Sequence, residues 1–220
     1  MSTSELAGCD VTSTRGVGAS RRRVRLDSTR TMDVAFALTG LLLTWPLFVF
    51  IAVGVRAQDG GSVIFRQQRI GRDGRLFDCL KFRSMRMGAE QALPPASDPE
   101  WRTKQKLTHD PRVTPLGRLL RQSSLDELPQ LINVLRGEMS LVGPRPIVID
   151  EAARYGRRLA DYCAVRPGLT GLWQVSGRNA VPYPRRVAMD VWLVRNRSIG
   201  VYLAILARTV PAVLSRRGVS

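Results

Sequence analysis

The chain has 220 residues, of which 34 are arginine or lysine and 18 are aspartate or glutamate, a formal charge of +16. That length supports one domain with a respectable core plus extras, and that charge calls for an anionic partner: nucleic acid, a membrane surface or a phosphorylated substrate. Cys9, Cys79 and Cys163 are odd in number and far apart, which excludes a disulfide framework or thiolate metal cluster and fits a reducing compartment.

Residues 1–30 are polar, lack apolar periodicity and carry Arg21-Arg22-Arg23 and Arg25. They are expected to be disordered, with the arginine run suited to anionic lipid headgroups. Val34 to Val55 is then free of charge over 22 residues. As a helix it measures about 33 Å, enough for a hydrocarbon core of about 30 Å. It is too long, and its preceding region too extended, for a cleaved signal peptide. A straight span and a re-entrant hairpin broken at Pro46 both remain open. Proline removes a backbone hydrogen bond in mid-segment. Arginines flank both ends, as expected if both stay cytoplasmic.

Val63-Ile64-Phe65 and Leu76 to Phe82 read as the strands of a hairpin around Asp73-Gly74, a strong turn signal. Lys81 and Arg83 then put cations at alternate positions on one face. Met85 to Leu93 suggests a short helix, Pro94 to Lys106 a polar loop, and Asp110-Pro111-Arg112 a turn. His109, the one histidine, sits in polar surroundings and is given no role. Leu116, Leu119 and Leu120 suggest a helix that ends just before Ser123-Ser124-Leu125-Asp126-Glu127-Leu128-Pro129.

That stretch organises the chain. Leu128, Leu131, Ile132 and Leu135 form one helical face, Gly137 suits the C-terminal cap, and Pro129 belongs in the first turn. Asp126 is therefore expected as the N-cap with Glu127 at the first helical position; a capping box from Ser124 would place Pro129 too deep. An isolated S-x-D-E start reads as a simple cap. Here Arg121 lies upstream and Gly143-Pro144-Arg145-Pro146 downstream, and an anionic dyad between arginines suits a metal-bound phosphate substrate.

Met139 to Val142 reads as a strand, Gly143 to Pro146 as a rigid turn presenting Arg145, and Ile147 to Asp161 as an amphipathic helix. Arg166 to Gly171 reads as a turn, Leu172 to Val175 as a strand, and Ser176-Gly177-Arg178-Asn179 as a turn offering an arginine. Helices near 184–194 and 199–214 close the chain; the second is too short to span a bilayer and belongs in the core or the interface.

Lys81-Phe82-Arg83-Ser84-Met85, Asp110-Pro111-Arg112-Val113-Thr114, the run from Ser124 to Pro146, and Arg166 to Arg178 together resemble the bacterial sugar transferase family, the monotopic phosphoglycosyl transferases. The resemblance runs from about Thr31 to the C-terminus, and its strength is several long motifs in the right order. It implies an α+β, small membrane-associated domain with a re-entrant N-terminal helix, a β-hairpin, short strands and amphipathic interfacial helices. Segments 1–30, 31–57 and 58–220 are then the basic N-terminal region, the membrane helix-break-helix and a cytoplasmic-face catalytic domain at the inner membrane, in the short form of the family.

The resemblance further implies transfer of a sugar-1-phosphate from a UDP-sugar to polyprenyl (undecaprenyl) phosphate, starting surface glycan or exopolysaccharide synthesis. Asp126 is then the nucleophile that forms a covalent phosphosugar–enzyme and expels UMP. Glu127 is the Mg²⁺-associated carboxylate, and Lys81, Arg121, Arg145 and Arg178 contact phosphate. Anionic membrane lipids are further expected partners, a homodimer is left open, and nucleic acid is not expected, since no recognisable module is present. Two departures stand out. The family's Ser-Pro pair at the membrane break is Trp45-Pro46 here, with Thr44 one place earlier. Asp190 to Val194 and Arg197 to Tyr202 differ from the usual aromatic pattern, which implies altered packing or membrane contact.

Overall fold

The computed structural model describes residues 26–89 and 110–214. The expectations for residues 1–25, His109, the 94–106 loop and Arg216-Arg217 lie outside the described residues, as does the second half of the expected 85–93 helix. Its first half is no helix: Met85 bridges Val113, and a turn follows over 87–89.

Helix α1, Leu26–Asp59, runs 34 residues and includes Pro46 without an assigned interruption. It starts inside the segment expected to lack structure. The reason is tertiary: Arg30 donates to the carbonyls of Val134 (2.6 Å) and Leu135 (3.0 Å). Asp33, buried, accepts from Ser140 Oγ, the Leu141 N–H and Tyr202 Oη, all at 2.7–3.0 Å. At the other end Asp59 pairs with Arg83 and accepts from the N–H groups of Gly61 and Met87. Between these polar fastenings, Met32, Ala37 and Leu41 pack into one apolar cluster, and Phe48, Ile51, Ala52 and Val55 into another. The outward side stays bare: Leu43 and Phe50 are each 76% exposed, and Trp45 62%. The helix is long and apolar enough to cross a membrane. Pro46 has no N–H to give the Leu42 carbonyl. The Thr44 hydroxyl donates to Gly40 O (2.7 Å), one turn away, and does not replace that bond.

Strands β1, Ile64–Ile70, and β2, Leu76–Phe82, pair antiparallel with Phe65 opposite Lys81 and Gln67 opposite Cys79. Asp73 and Gly74 both take positive φ (58° and 73°) in the connecting turn, as that dipeptide predicts. Helix α2 is Pro115–Ser123 and α3 is Gln130–Arg136. Wholly buried Asn133 joins α3 to β2: its Oδ1 accepts from Leu80 N–H and its Nδ2 donates to Asp78 O.

The second half holds the corrections. Strand β3, Ser140–Val142, pairs in parallel with β4, Gly168–Thr170, inside the stretch expected to be a turn. Leu172–Val175, expected as a strand, is helix α6. The expected helix over 147–161 is split into α4, Ala152–Tyr155, and α5, Leu159–Cys163, because Gly156 at φ 50° breaks it. Helices α7, Tyr183–Arg195, and α8, Ile199–Leu214, fall where expected. Asp190, in the first of the two departing stretches, is buried and accepts from Tyr155 Oη at 2.8 Å, so that stretch is core packing; Trp192 beside it is exposed.

Candidate active site

Helix α2 begins at Thr114, whose hydroxyl accepts from Gly117 N–H, with proline at the first helical position. A Cβ on Gly117 would lie 1.9 Å from Ser84 O, so only glycine lets α2 sit directly on the Ser84 backbone. That seat lets Arg121 Nε donate to Ser84 Oγ at 2.8 Å.

Ser124 ends α2 in the left-handed region (φ 59°). A single 3₁₀ turn follows, Leu125–Glu127, closed by Leu128 N–H to Leu125 O at 3.2 Å. Pro129, not Asp126, borders α3. The expected capping role of Asp126 is therefore corrected: the left-handed serine turns the chain early and leaves the dyad on the connection between the helices.

The two carboxylates are treated differently. Lys81 Nζ, from the end of β2, lies 2.7 Å from Glu127 Oε1, and Arg145 NH2, from the proline-flanked turn, 3.2 Å from the same oxygen. Burial opposes ionisation of Glu127, but these two cations hold its pKa down at about 2. Asp126 is 9% exposed and, among the described residues, makes no hydrogen bond or ion pair. Burial pushes its carboxyl up to about 6, the Glu127 charge adding to the push against Lys81, Arg121 and Arg145. Lys81 and Arg145 thus keep Glu127 ionised, and Asp126 is left poised.

Both carboxylates open onto a groove of about 1430 Å³. All six sequence-derived residues line it: Lys81, Arg121, Asp126, Glu127, Arg145 and Arg178. Among the described residues ten cations and four carboxylates line it, so the groove concentrates positive potential where an anion would enter.

Arg69 was missed. It stands two places from Gln67 on the strand face that carries Phe65, opposite Lys81, so β alternation across the hairpin identifies it. Its NH1 donates to Pro146 O (3.0 Å), and the next residue's N–H donates to Ile147 O (3.0 Å). Together they brace the turn that carries Arg145.

Among the described residues no cluster of three or more His, Cys, Asp or Glu is placed to hold a metal. A protein-built cage is therefore not what the donor set fits. Glu127 Oε1 is committed to cations, whereas Oε2 and the Asp126 carboxylate are not. One or two carboxylates completed by substrate phosphates and water is the donor set Mg²⁺ favours.

The family model described as "Bacterial sugar transferase" matches residues 24–216. The chain is 50% identical over 195 residues to the Exopolysaccharide production protein ExoY of Rhizobium meliloti, covering 86% of each chain. Against the protein of the same name from Sinorhizobium fredii it is 49% identical over 197 residues, 87% of each. It is also 49% identical over 195 residues to the Undecaprenyl-phosphate galactose phosphotransferase of Salmonella typhimurium, covering 86% of this chain but 41% of that one. The matched region contains the whole groove and both carboxylates, and on that breadth of agreement the chain is an enzyme of the bacterial sugar transferase family.

Proposed function

We propose that this enzyme moves a sugar-1-phosphate from a UDP-sugar to polyprenyl phosphate, by way of a covalent phosphosugar on Asp126, and so starts an exopolysaccharide or other surface glycan. The observation that carries the reading is the contrast within the dyad: Glu127 is pinned ionised by Lys81 and Arg145, whereas Asp126, one residue away, is buried and uncommitted on the groove. The printed names of the relatives, an undecaprenyl-phosphate phosphotransferase and exopolysaccharide production proteins, agree with it.

In the first half-reaction an Asp126 Oδ attacks the phosphorus bearing the sugar. An acyl-phosphate bond forms, the anhydride P–O bond breaks, and the electron pair leaves with UMP. In the second, an oxygen of the lipid phosphate attacks the same phosphorus and Asp126 departs as carboxylate, so neither step needs an added proton. Arg121 and Arg145 flank the dyad and offset charge on the phosphoryl oxygens. Glu127, with Asp126, would hold Mg²⁺, which supplies further neutralisation of the diphosphate when bound.

The membrane placement is part of the same proposal. Arg30 and Asp33 fasten one end of the apolar segment, and Asp59 the other, to a single polar domain. A segment crossing the bilayer would need that domain on both sides. A re-entrant path, turning near Pro46, keeps both fastenings on one face, the cytoplasmic face of the inner membrane, where UDP-sugars are found.

The test is UMP release from a panel of UDP-sugars with Mg²⁺, with intact-protein mass measured after quenching before lipid is added. An adduct of one hexose phosphate on the Asp126 peptide is expected. UMP release only once lipid is added, with no adduct at any time, would replace the covalent route by direct transfer.

A further inference from the structure

We propose that the apolar arm of the groove, from Leu128 at the catalytic turn to Val213 in the last turns of α8, seats the first isoprene units of the lipid acceptor; this rests on the transfer reaction proposed above. The arm is lined by Leu128, Leu141, Leu169, Val175, Leu206 and Val213. On α8, Leu206, Thr209 and Val213 stand at i, i+3 and i+7, one half-buried face covering about 10 Å of helix.

Thr209 adds no free hydroxyl to that wall. It donates to Ile205 O at 2.7 Å and shares a 2.9 Å contact with Thr170 Oγ1. Apart from Gln174, whose Nε2 is spent on Leu169 O, a sugar or nucleobase laid along such a wall would lose its water for few partners, whereas a hydrocarbon loses nothing. The groove is thus two-natured: Lys81, Arg121 and Arg145 act on Asp126, and aliphatic side chains line the same groove from Leu128 onward in the fold. A phosphate-headed hydrocarbon matches both.

The position of α8 points to the same occupant. Tyr202 donates to Asp33 of α1 at 2.7 Å, and Tyr202, Ile205 and Ala37 share one buried cluster. The wall therefore adjoins the membrane helix. Ile199, Leu203 and Val210, elsewhere on α8, are exposed, so an apolar surface continues from the groove wall outward. A chain leaving the bilayer beside α1 would follow α8 to bring its phosphate to Asp126.

The experiment uses the full-length enzyme in lipid nanodiscs, with Val213→Trp to fill the arm and Leu206→Asn to make it polar. Both are expected to raise the KM for undecaprenyl phosphate about 10-fold, the scale of one lost aliphatic contact. The KM for UDP-sugar and the rate of UMP formation without acceptor should stay within about two-fold. A farnesyl phosphate carrying a diazirine on its first isoprene should crosslink to α8. An unchanged acceptor KM, an equal loss in acceptor-free UMP formation, or crosslinks confined to other elements would overturn the assignment. If wild-type enzyme forms no UMP without acceptor, the covalent route fails, and the two KM values and the crosslink still decide the acceptor seat.

Discussion

Lys81 Nζ lies 2.7 Å from Glu127 Oε1, and this contact divides the labour of two adjacent carboxylates. Lys81 and Arg145 neutralise Glu127, so its neighbour can remain an unpaired carboxylate in a buried site. Without them two like charges would compete for the same small volume.

Asp126→Asn should abolish UMP release and make the protein more stable at neutral pH. The carboxyl is raised from its ordinary value to about 6, so the folded state binds its proton more tightly than the unfolded chain. Its contribution is favourable at low pH and is lost as pH rises through about 6, leaving a cost of about 3 kcal/mol above that. The amide removes the cost, so Tm should rise by a few degrees at pH 7.5 and hardly change at pH 4. A Tm that falls equally at both pH values would show that the side chain is needed for folding.

Glu127→Gln should lower kcat/KM by roughly 100-fold or more, because it strands two cations and removes the charge proposed to meet Mg²⁺. The Mg²⁺ concentration at half-maximal rate should rise. A titration superimposable on wild type would assign the metal role elsewhere.

The acid limb of kcat/KM should fall near pH 6, since ionised Asp126 is the proposed attacking form and protonation would stop it. Arg121 draws that pKa down, so Arg121→Gln should move the limb to higher pH. Movement to lower pH, or no acid limb above pH 5, would contradict the nucleophile assignment.

Arg69→Met should reduce kcat/KM roughly 10- to 100-fold, as loss of a bracing contact commonly does. Acting through the Arg145 turn, it should add little to Arg145→Ala in a double-mutant cycle. Fully additive losses would give Arg69 a separate role on the groove.

Topology is open to labelling. With Cys9, Cys79 and Cys163 removed and a cysteine placed at Ser20, an impermeant thiol reagent should mark the protein only after cells are opened. Labelling of intact cells would restore a simple span. Pro46→Leu should favour that span, since leucine returns the N–H that proline lacks.

Features whose physics is local were legible in the chain alone. Asp73-Gly74 made its positive-φ turn, Thr114-Pro115 opened a helix, Gly137 closed one at φ 81°, and the charge-free run from Val34 formed a lipid-length helix. The resemblance carried by its motifs also named six of the residues that line the groove. Features that depend on partners distant in the chain emerged only on packing. Gly168–Thr170 is a strand because Ser140–Val142 lies beside it, although its Pro-Gly start signals a turn. Leu172–Val175 is a single helical turn, too short for any periodicity to show. Asp126 left the helix cap because Ser124 turned left-handed, and its raised pKa came from burial and from Glu127. Burial, and the distances from Glu127 to Lys81 and Arg145, arise only when strand, turn and helix have packed, because each charge is set by neighbours that the chain order keeps apart.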